Sequence, residues 1–401
     1  MKSRIFTEIN TDFASNGVVY LDNAATTRCP KTVVDSLVQF YSLDKANIHR
    51  GIHKMAEKVT AQYEGVREKV RNFINAKKDS EIVFTTGTTH GINLIANGFC
   101  NSWGPNDAII TPESEHHANL LPWINCAEKN GIQFHKVNVI KDGSLDLAHL
   151  EEILDECTGK VLFSIAQVNN TIGNVQPIKE LFALVKQYEG ITVLDAAQSI
   201  AKMQIDVQDL DADFVAFSAH KLYGPTGTGV LYGKQKYLDK IEPTFWGGDM
   251  IASVGWDAIK LNQLPWKLEA GTPNIGGVIA MGEAIDWFTS YDIEDLAVHN
   301  KLMNANMQMM LNDLDFIDVF HPNYYKAGLI SFSVKDCFPS DVAQLLDVQN
   351  IAVRSGFLCA QPIVEEKFVN GVVRASWACY NSKDDIEQLR QGLIKCYDRL
   401  G

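Results

Sequence analysis

The chain has 401 residues, 46% of them hydrophobic and 21% charged, which suits a folded protein with room for two domains and a large core. Its net charge of −13 argues against nonspecific binding to nucleic acid or to an anionic membrane, while leaving room for a local basic patch around an anionic ligand. No apolar run reaches membrane-spanning length, residues 1–8 lack the apolar stretch of a signal peptide, and the eight cysteines are scattered without a CxxC pair, so the expectation is no membrane segment, no metal, no disulfide scaffold and a reducing cytoplasmic compartment.

From about residue 60 to 241, helical patterns alternate with short apolar runs. The runs at 81–85, 108–111, 133–139, 161–168, 191–194, 214–217 and 230–232 predict seven strands, and their alternation with helices predicts an α/β domain on a mostly parallel sheet. A long helix is expected over 296–314, followed by a smaller α+β segment with a strand at 329–334, a helix at 341–349 and strands near 351–354 and 372–377. The boundary between the two falls near residue 290. Ligands of open α/β sheets sit beyond the carboxyl ends of the strands. Five polar clusters fall at such ends: 86–90, 116–119, 169–170, 195–198 and 218–221.

Each cluster offers chemistry and also an ordinary structural role. Thr86-Gly-Thr88-Thr89-His90-Gly91 opens a helix and could hold a phosphate on free backbone N–H groups and hydroxyls, or could be a plain N-cap and turn. His116 and His117 could stack on a ring and handle protons, or be satisfied loop histidines; metal binding lacks a ligand set. Asp195 ends one apolar run, with Gln198 a turn beyond; it could hold a pyridine nitrogen protonated, or cap a helix. Ser218, His220 and Lys221 end the next run before a glycine-rich turn. A lone lysine there would usually be solvated, but a lysine amine can form a Schiff base with pyridoxal phosphate, whose enzymes pair that lysine with an acid such as Asp195. Ser218 and His220 could add donors to the same phosphate. In the smaller segment, Arg354 and Arg374 could recognise a carboxylate in bidentate fashion, or form surface ion pairs. Cys359 lies in an irregular loop between Gly356 and Pro362; by residue type alone it would be a buried structural thiol.

Together these strings resemble the class V aminotransferase superfamily of fold-type I pyridoxal phosphate enzymes, and within it the group II, SUF-type cysteine desulfurases and selenocysteine lyases. The resemblance runs from Tyr20-Leu-Asp-Asn-Ala-Ala-Thr-Thr27 to Val373-Arg-Ala-Ser376, through Ala46-Asn-Ile-His-Arg-Gly-Ile-His53, Glu115-His-His-Ala-Asn119, Asp195-Ala-Ala-Gln198, Ser218-Ala-His-Lys-Leu-Tyr-Gly-Pro225, Glu269-Ala-Gly-Thr-Pro-Asn274 and the loop from Arg354 to Pro362. It implies a large cofactor domain over 20–290 and a small domain made of 1–19 and 291–401 that carries the Cys359 loop. It implies that Lys221 bonds the cofactor, Asp195 its pyridinium nitrogen and Gln198 its ring oxygen, that His116 stacks on the ring, and that Thr88, Thr89, Ser218 and His220 hold the phosphate. Thr272 would reach in from the other subunit of a homodimer. Asn170 and Arg374, with Arg354, His49 and Arg50 nearby, would bind the carboxylate of L-cysteine or L-selenocysteine. Cys359 would carry the sulfur as a persulfide to an acceptor protein or thiol, in iron–sulfur cluster assembly or another sulfur-mobilising pathway.

Two positions depart from that pattern. Phe357 and Leu358 stand where two histidines commonly precede the cysteine, and apolar neighbours are expected to desolvate the thiol. His90 stands where an acid often follows the phosphate-binding threonines. These departures keep open another class V enzyme, such as a selenocysteine lyase, epimerase or aminotransferase, with Cys359 incidental. A noncatalytic scaffold would predict erosion of the cofactor anchor, yet Lys221, Asp195, Gln198 and His116 are all present.

Overall fold

The computed structural model describes residues 9, 12–14, 16–321 and 326–401; most of the 1–19 segment expected in the small domain lies outside the described residues. Seven strands form the central sheet: β1 (Ile82–Thr85), β2 (Ala108–Pro112), β3 (Gln133–Val137), β4 (Val161–Ala166), β5 (Ile191–Asp195), β6 (Phe214–Ser218) and β7 (Gly229–Gly233). Their order is β1-β7-β6-β5-β4-β2-β3. β7 alone runs antiparallel to its neighbours β1 and β6, so the sheet is mostly parallel, as expected. Both faces are apolar because helices cover both. The period-2 alternation of a strand sorts the residues: Phe163, Val215, Phe217, Val230 and Tyr232 join one core, while Leu162, Phe214, Ala216 and Leu231 join the other. The helices Lys31–Gln39 and Lys54–Phe73 pack against the helix Ile275–Thr289 beside the first core.

The smaller unit is an antiparallel sheet of β8 (Ile317–Val319), β9 (Leu329–Val334), β10 (Arg354–Gly356) and β11 (Val372–Ser376), in the order β8-β9-β11-β10. The helices Ile293–Asn312, Pro339–Asp347 and Lys383–Leu400 bury Met303, Met307, Leu346, Leu389 and Leu393 against Ile330, Phe332, Val373 and Ala375. Val19 and Leu21 pack in the same core, because Val19–Tyr20 pairs in parallel with Ile351–Ala352 and Asp22 bridges to Ser376. A further apolar cluster joins Ile172 of the large unit to Phe320, Leu358, Ile363, Val364 and Val372, and so fixes the Cys359 loop against the large sheet.

No helix among the described residues is long and apolar enough to cross a membrane. The 351–354 run, expected as one strand, is two: Ile351–Ala352 pairs with the N-terminal strand and Arg354–Gly356 joins the small sheet. A hairpin of Ile251–Val254 and Ile259–Leu261 had no counterpart in the sequence reading.

Candidate active site

The carboxyl ends of β1, β2, β4, β5 and β6 open on one side of the sheet, and there a cavity of about 330 Å³ lies between the two units. Thr88, Thr89, His116, Asn170, Asp195, Gln198, Ser218, His220 and Lys221 line it from the large unit, and Arg354, Leu358, Cys359 and Arg374 from the small one.

At one end, Gly87 caps the helix Thr88–Gly98 at φ +146°, a conformation that favours glycine. A Cβ there would stand 3.0 Å from Ser218 Oγ, and a Cβ on Gly229 would stand 2.5 Å from the Gly87 Cα, so the turn lies flat against β7. Ser218 Oγ accepts from the Thr88 N–H at 2.8 Å and pairs with Thr88 Oγ1 at 2.9 Å. Thr88 is therefore a strut for Ser218, while Thr89 is exposed beside it. His220 is held by its carbonyl, which accepts from the Thr27 N–H at 2.9 Å and from the hydroxyls of Thr26 and Thr27. Burial pushes its imidazole down to about 4, so the ring is neutral, and its Nδ1 is buried with no partner among the described residues.

In the middle, Asp195 Oδ1 accepts from the Ala197 N–H at 2.8 Å. Burial raises its carboxyl above the ordinary value. Burial also takes the Lys221 amine down to about 8, more than the Asp195 charge restores. The His116 ring is driven to about 3 by burial, with Lys221 adding to the effect, and its Nδ1 accepts from the Ala118 N–H at 3.0 Å, which leaves the proton on Nε2. Behind it, the buried Glu115 accepts from the Ala166 N–H at 3.0 Å and from Asn119 Nδ2 at 2.6 Å.

At the far end, Arg374 is buried and Arg354 half-exposed, and Asp22 bridges them, at 3.4 Å to Arg374 Nη2 and 2.8 Å to Arg354 Nη2. Burial lowers the Arg374 guanidinium to about 10, which leaves it charged at neutral pH, and its Nε is buried without a partner among the described residues. Asn170 Nδ2 donates to the Leu358 carbonyl at 2.7 Å, and the His117 N–H donates to the Cys359 carbonyl at 2.7 Å. These bonds clamp a turn in which Leu358 and Cys359 both have positive φ, +54° and +57°. Such a backbone costs roughly 1–3 kcal/mol per residue and persists only where its surroundings hold it. Of the eight free cysteines, Cys359 is the exposed one. The expectation that apolar neighbours would desolvate it fails, because Leu358 and Phe357 turn into the cluster beneath the loop.

Three predicted residues do not reach this cavity. Thr272 lies in a separate surface groove with Phe40, Tyr41 and Asn274; His49 binds Glu64 at 2.8 Å; Arg50 binds Asp249 at 3.0 Å. Asp22 was missed by sequence reasoning, although it sits inside the 20–27 string, whose register offered the signal.

Pyridoxal phosphate fits this cavity. The neutral His220, the Thr88–Ser218 hydroxyl pair and the helix N-terminus suit its phosphate, and the buried Asp195 carboxyl suits a pyridinium nitrogen. The chain belongs to the class-V aminotransferase family, whose profile matches residues 19–389. Its similarities narrow further. It is 39% identical over 99% of its length, and 98% of the relative's, to a probable cysteine desulfurase of Halalkalibacterium halodurans, and 39% identical over 96%, and 94% of the relative's, to a cysteine desulfurase of Pectobacterium atrosepticum. Among solved structures it matches the apo cysteine desulfurase of Thermococcus onnurineus at a TM-score of 0.94 and 36% identity over 99% of both chains. It also matches an Escherichia coli cysteine desulfurase, in an S-sulfonic acid form, at 0.92 and 35% over 99% of both.

Proposed function

We infer that the protein is a pyridoxal phosphate-dependent cysteine desulfurase that converts L-cysteine to L-alanine and carries the released sulfur on Cys359. The single observation behind this reading is that the one exposed cysteine lines the same cavity as Lys221 and Asp195. Bound there, pyridoxal phosphate supplies the carbonyl that captures the substrate amine and the electron sink that acidifies its Cα.

The chain's own residues do the rest. Arg374, with an unpartnered Nε, holds the substrate carboxylate, and Arg354 flanks it. Both Asn170 amide hydrogens are engaged, by Leu358 O and Thr171 Oγ1, so in this conformation Asn170 serves the nucleophile's turn more than the carboxylate. Neutral His220 and Ser218 orient the phosphate, and His116 covers the ring with a proton on Nε2. Lys221 would take the Cα proton of the bound substrate; an amine near 8 is a competent base at neutral pH. The Cys359 thiolate attacks the substrate sulfur, the new S–S bond forms as the substrate C–S bond breaks, and the carbon left behind is protonated to alanine. Lys221, Arg354 and Arg374 line the cavity together with Cys359, so negative charge that develops on the transferred sulfur does so among cations.

We place the chain in the group II, SUF-type branch, in the cytoplasm, with an acceptor protein or thiol taking the sulfur; the short, clamped Cys359 turn and eight unpaired cysteines support this. A second copy completes the site. Thr272 lies outside its own cavity in a groove with Tyr41; His49 and Arg50 pair with Glu64 and Asp249; and Leu43, Ile52 and Met55 of the same stretch of chain are exposed. The test is alanine release from L-cysteine with a reducing thiol present, by the wild type and by Cys359→Ala. Release that falls at least a hundredfold in the variant is expected. A wild type that holds the cofactor yet releases no alanine defeats the desulfurase reading and turns attention to other amino acids.

A further inference from the structure

A second lysine, Lys202, lies partly buried behind the site, and nothing in the chemistry above uses it. Lys202 Nζ donates to Gln198 Oε1 at 3.2 Å, and Gln198 Nε2 donates to the Ala24 carbonyl at 2.7 Å. Together these contacts decide the amide's orientation. With the amide flipped, its oxygen would face the Ala24 carbonyl oxygen at hydrogen-bond distance, with no proton between them. The orientation that survives leaves one N–H of Nε2 free for an acceptor in the cavity. Lys202 and Lys221 also line one small internal cavity of about 20 Å³, with Gln198, Tyr223, Asn300 and Trp377. The Gly328 turn closes over the lysine, since a Cβ there would stand 2.9 Å from its Cε.

We propose that Lys202 is a positioning residue for the cofactor: its amine locks the Gln198 amide with an N–H toward the cofactor ring oxygen, and its charge behind Lys221 lowers the proton affinity of the lysine–cofactor linkage. The proposal rests on the pyridoxal phosphate reading of the site. Burial takes Lys202 down to about 7, and the charged groups that act on it, Lys221 and Arg374, are both cations that push it the same way. The uncharged polar groups around it, the Gln198 amide, the Tyr223 phenol and the Asn300 amide, give it no compensating anion. A positive charge on one side of the shared cavity disfavours a second beside it.

The experiment is a pH titration of the visible absorbance of the cofactor-loaded protein, without substrate. Lys202→Met, which removes charge and hydrogen bond, is expected to move the midpoint up by roughly half to one pH unit. Lys202→Gln can keep a hydrogen bond to Gln198 Oε1, and should raise the midpoint while binding the cofactor more tightly than the Met variant. Lys202→Arg keeps the charge and should not raise it. Met and Gln variants that titrate at the wild-type midpoint overturn the proposal. A wild type that develops no cofactor absorbance overturns the reading beneath it as well, and so separates the two failures.

Discussion

Glu115 shows how one buried side chain sets a pH dependence for the whole fold. It is 2% exposed, and burial pushes its carboxyl from an ordinary 4.5 up to about 8, although two hydrogen bonds pull the other way. The folded state therefore binds more protons than the unfolded state between those values. Stability from this group is present in full below pH 4.5 and is lost as pH rises towards 8, at up to ~1.4 kcal/mol per pH unit. Glu115→Gln has no proton to lose. The melting temperature of the apo variant is expected to gain on that of the wild type steadily from pH 4.5 to 8; a gap independent of pH would show that Glu115 is ionised in the fold.

Among elements, the turn between β1 and the helix Thr88–Gly98 makes a strict demand on one residue. Its φ of +146° and the 3.0 Å approach of Ser218 Oγ both require that residue 87 lack a Cβ. Gly87→Ala is expected to weaken cofactor affinity roughly tenfold or more, as read by titration of the apoprotein, since ~1.4 kcal/mol of strain is tenfold in binding. Unchanged affinity would remove the turn from the phosphate site. Most strands of the large sheet were legible because helices cover both faces, so they read as apolar runs, five of them followed by a polar cluster. Other features depend on contacts that local pattern does not encode. The reversed direction of β7 is invisible in a five-residue apolar run. The hairpin of 251–261 exposes most of its residues and so has no inward face to betray it. Asp22 acquires its meaning only when Arg354 and Arg374 arrive beside it from the other end of the chain. For the site, residue type alone would have buried Cys359; the strained turn held by Asn170 and His117 is what exposes it.

For the molecule as a whole, exposed apolar groups concentrate on two stretches. One holds Val34, Val38, Tyr41, Leu43, Ile52 and Met55; the other holds Phe245, Trp246, Val254, Trp256 and Ile259. Contiguous apolar surface on a soluble chain marks an interface. A solution mass of twice 44.6 kDa is expected, and Trp256→Glu is expected to shift the protein towards monomer and to weaken cofactor retention, because Thr272 would come from the partner. A wild type that sediments as a monomer at micromolar concentration would refute this.

The Asp22 bridge also bears on how the protein is made. Asp22 and Arg354 are 332 residues apart in sequence. At ~5–20 residues per second, a ribosome needs roughly 15–65 s to travel between them. Thr88, Asp195, Ser218 and Lys221 have all emerged before either arginine exists. The side chains proposed to hold the cofactor are thus synthesised before those proposed to hold the amino acid and the sulfur. On that proposal, the site is complete only once the last strands are synthesised and the two ends of the chain meet.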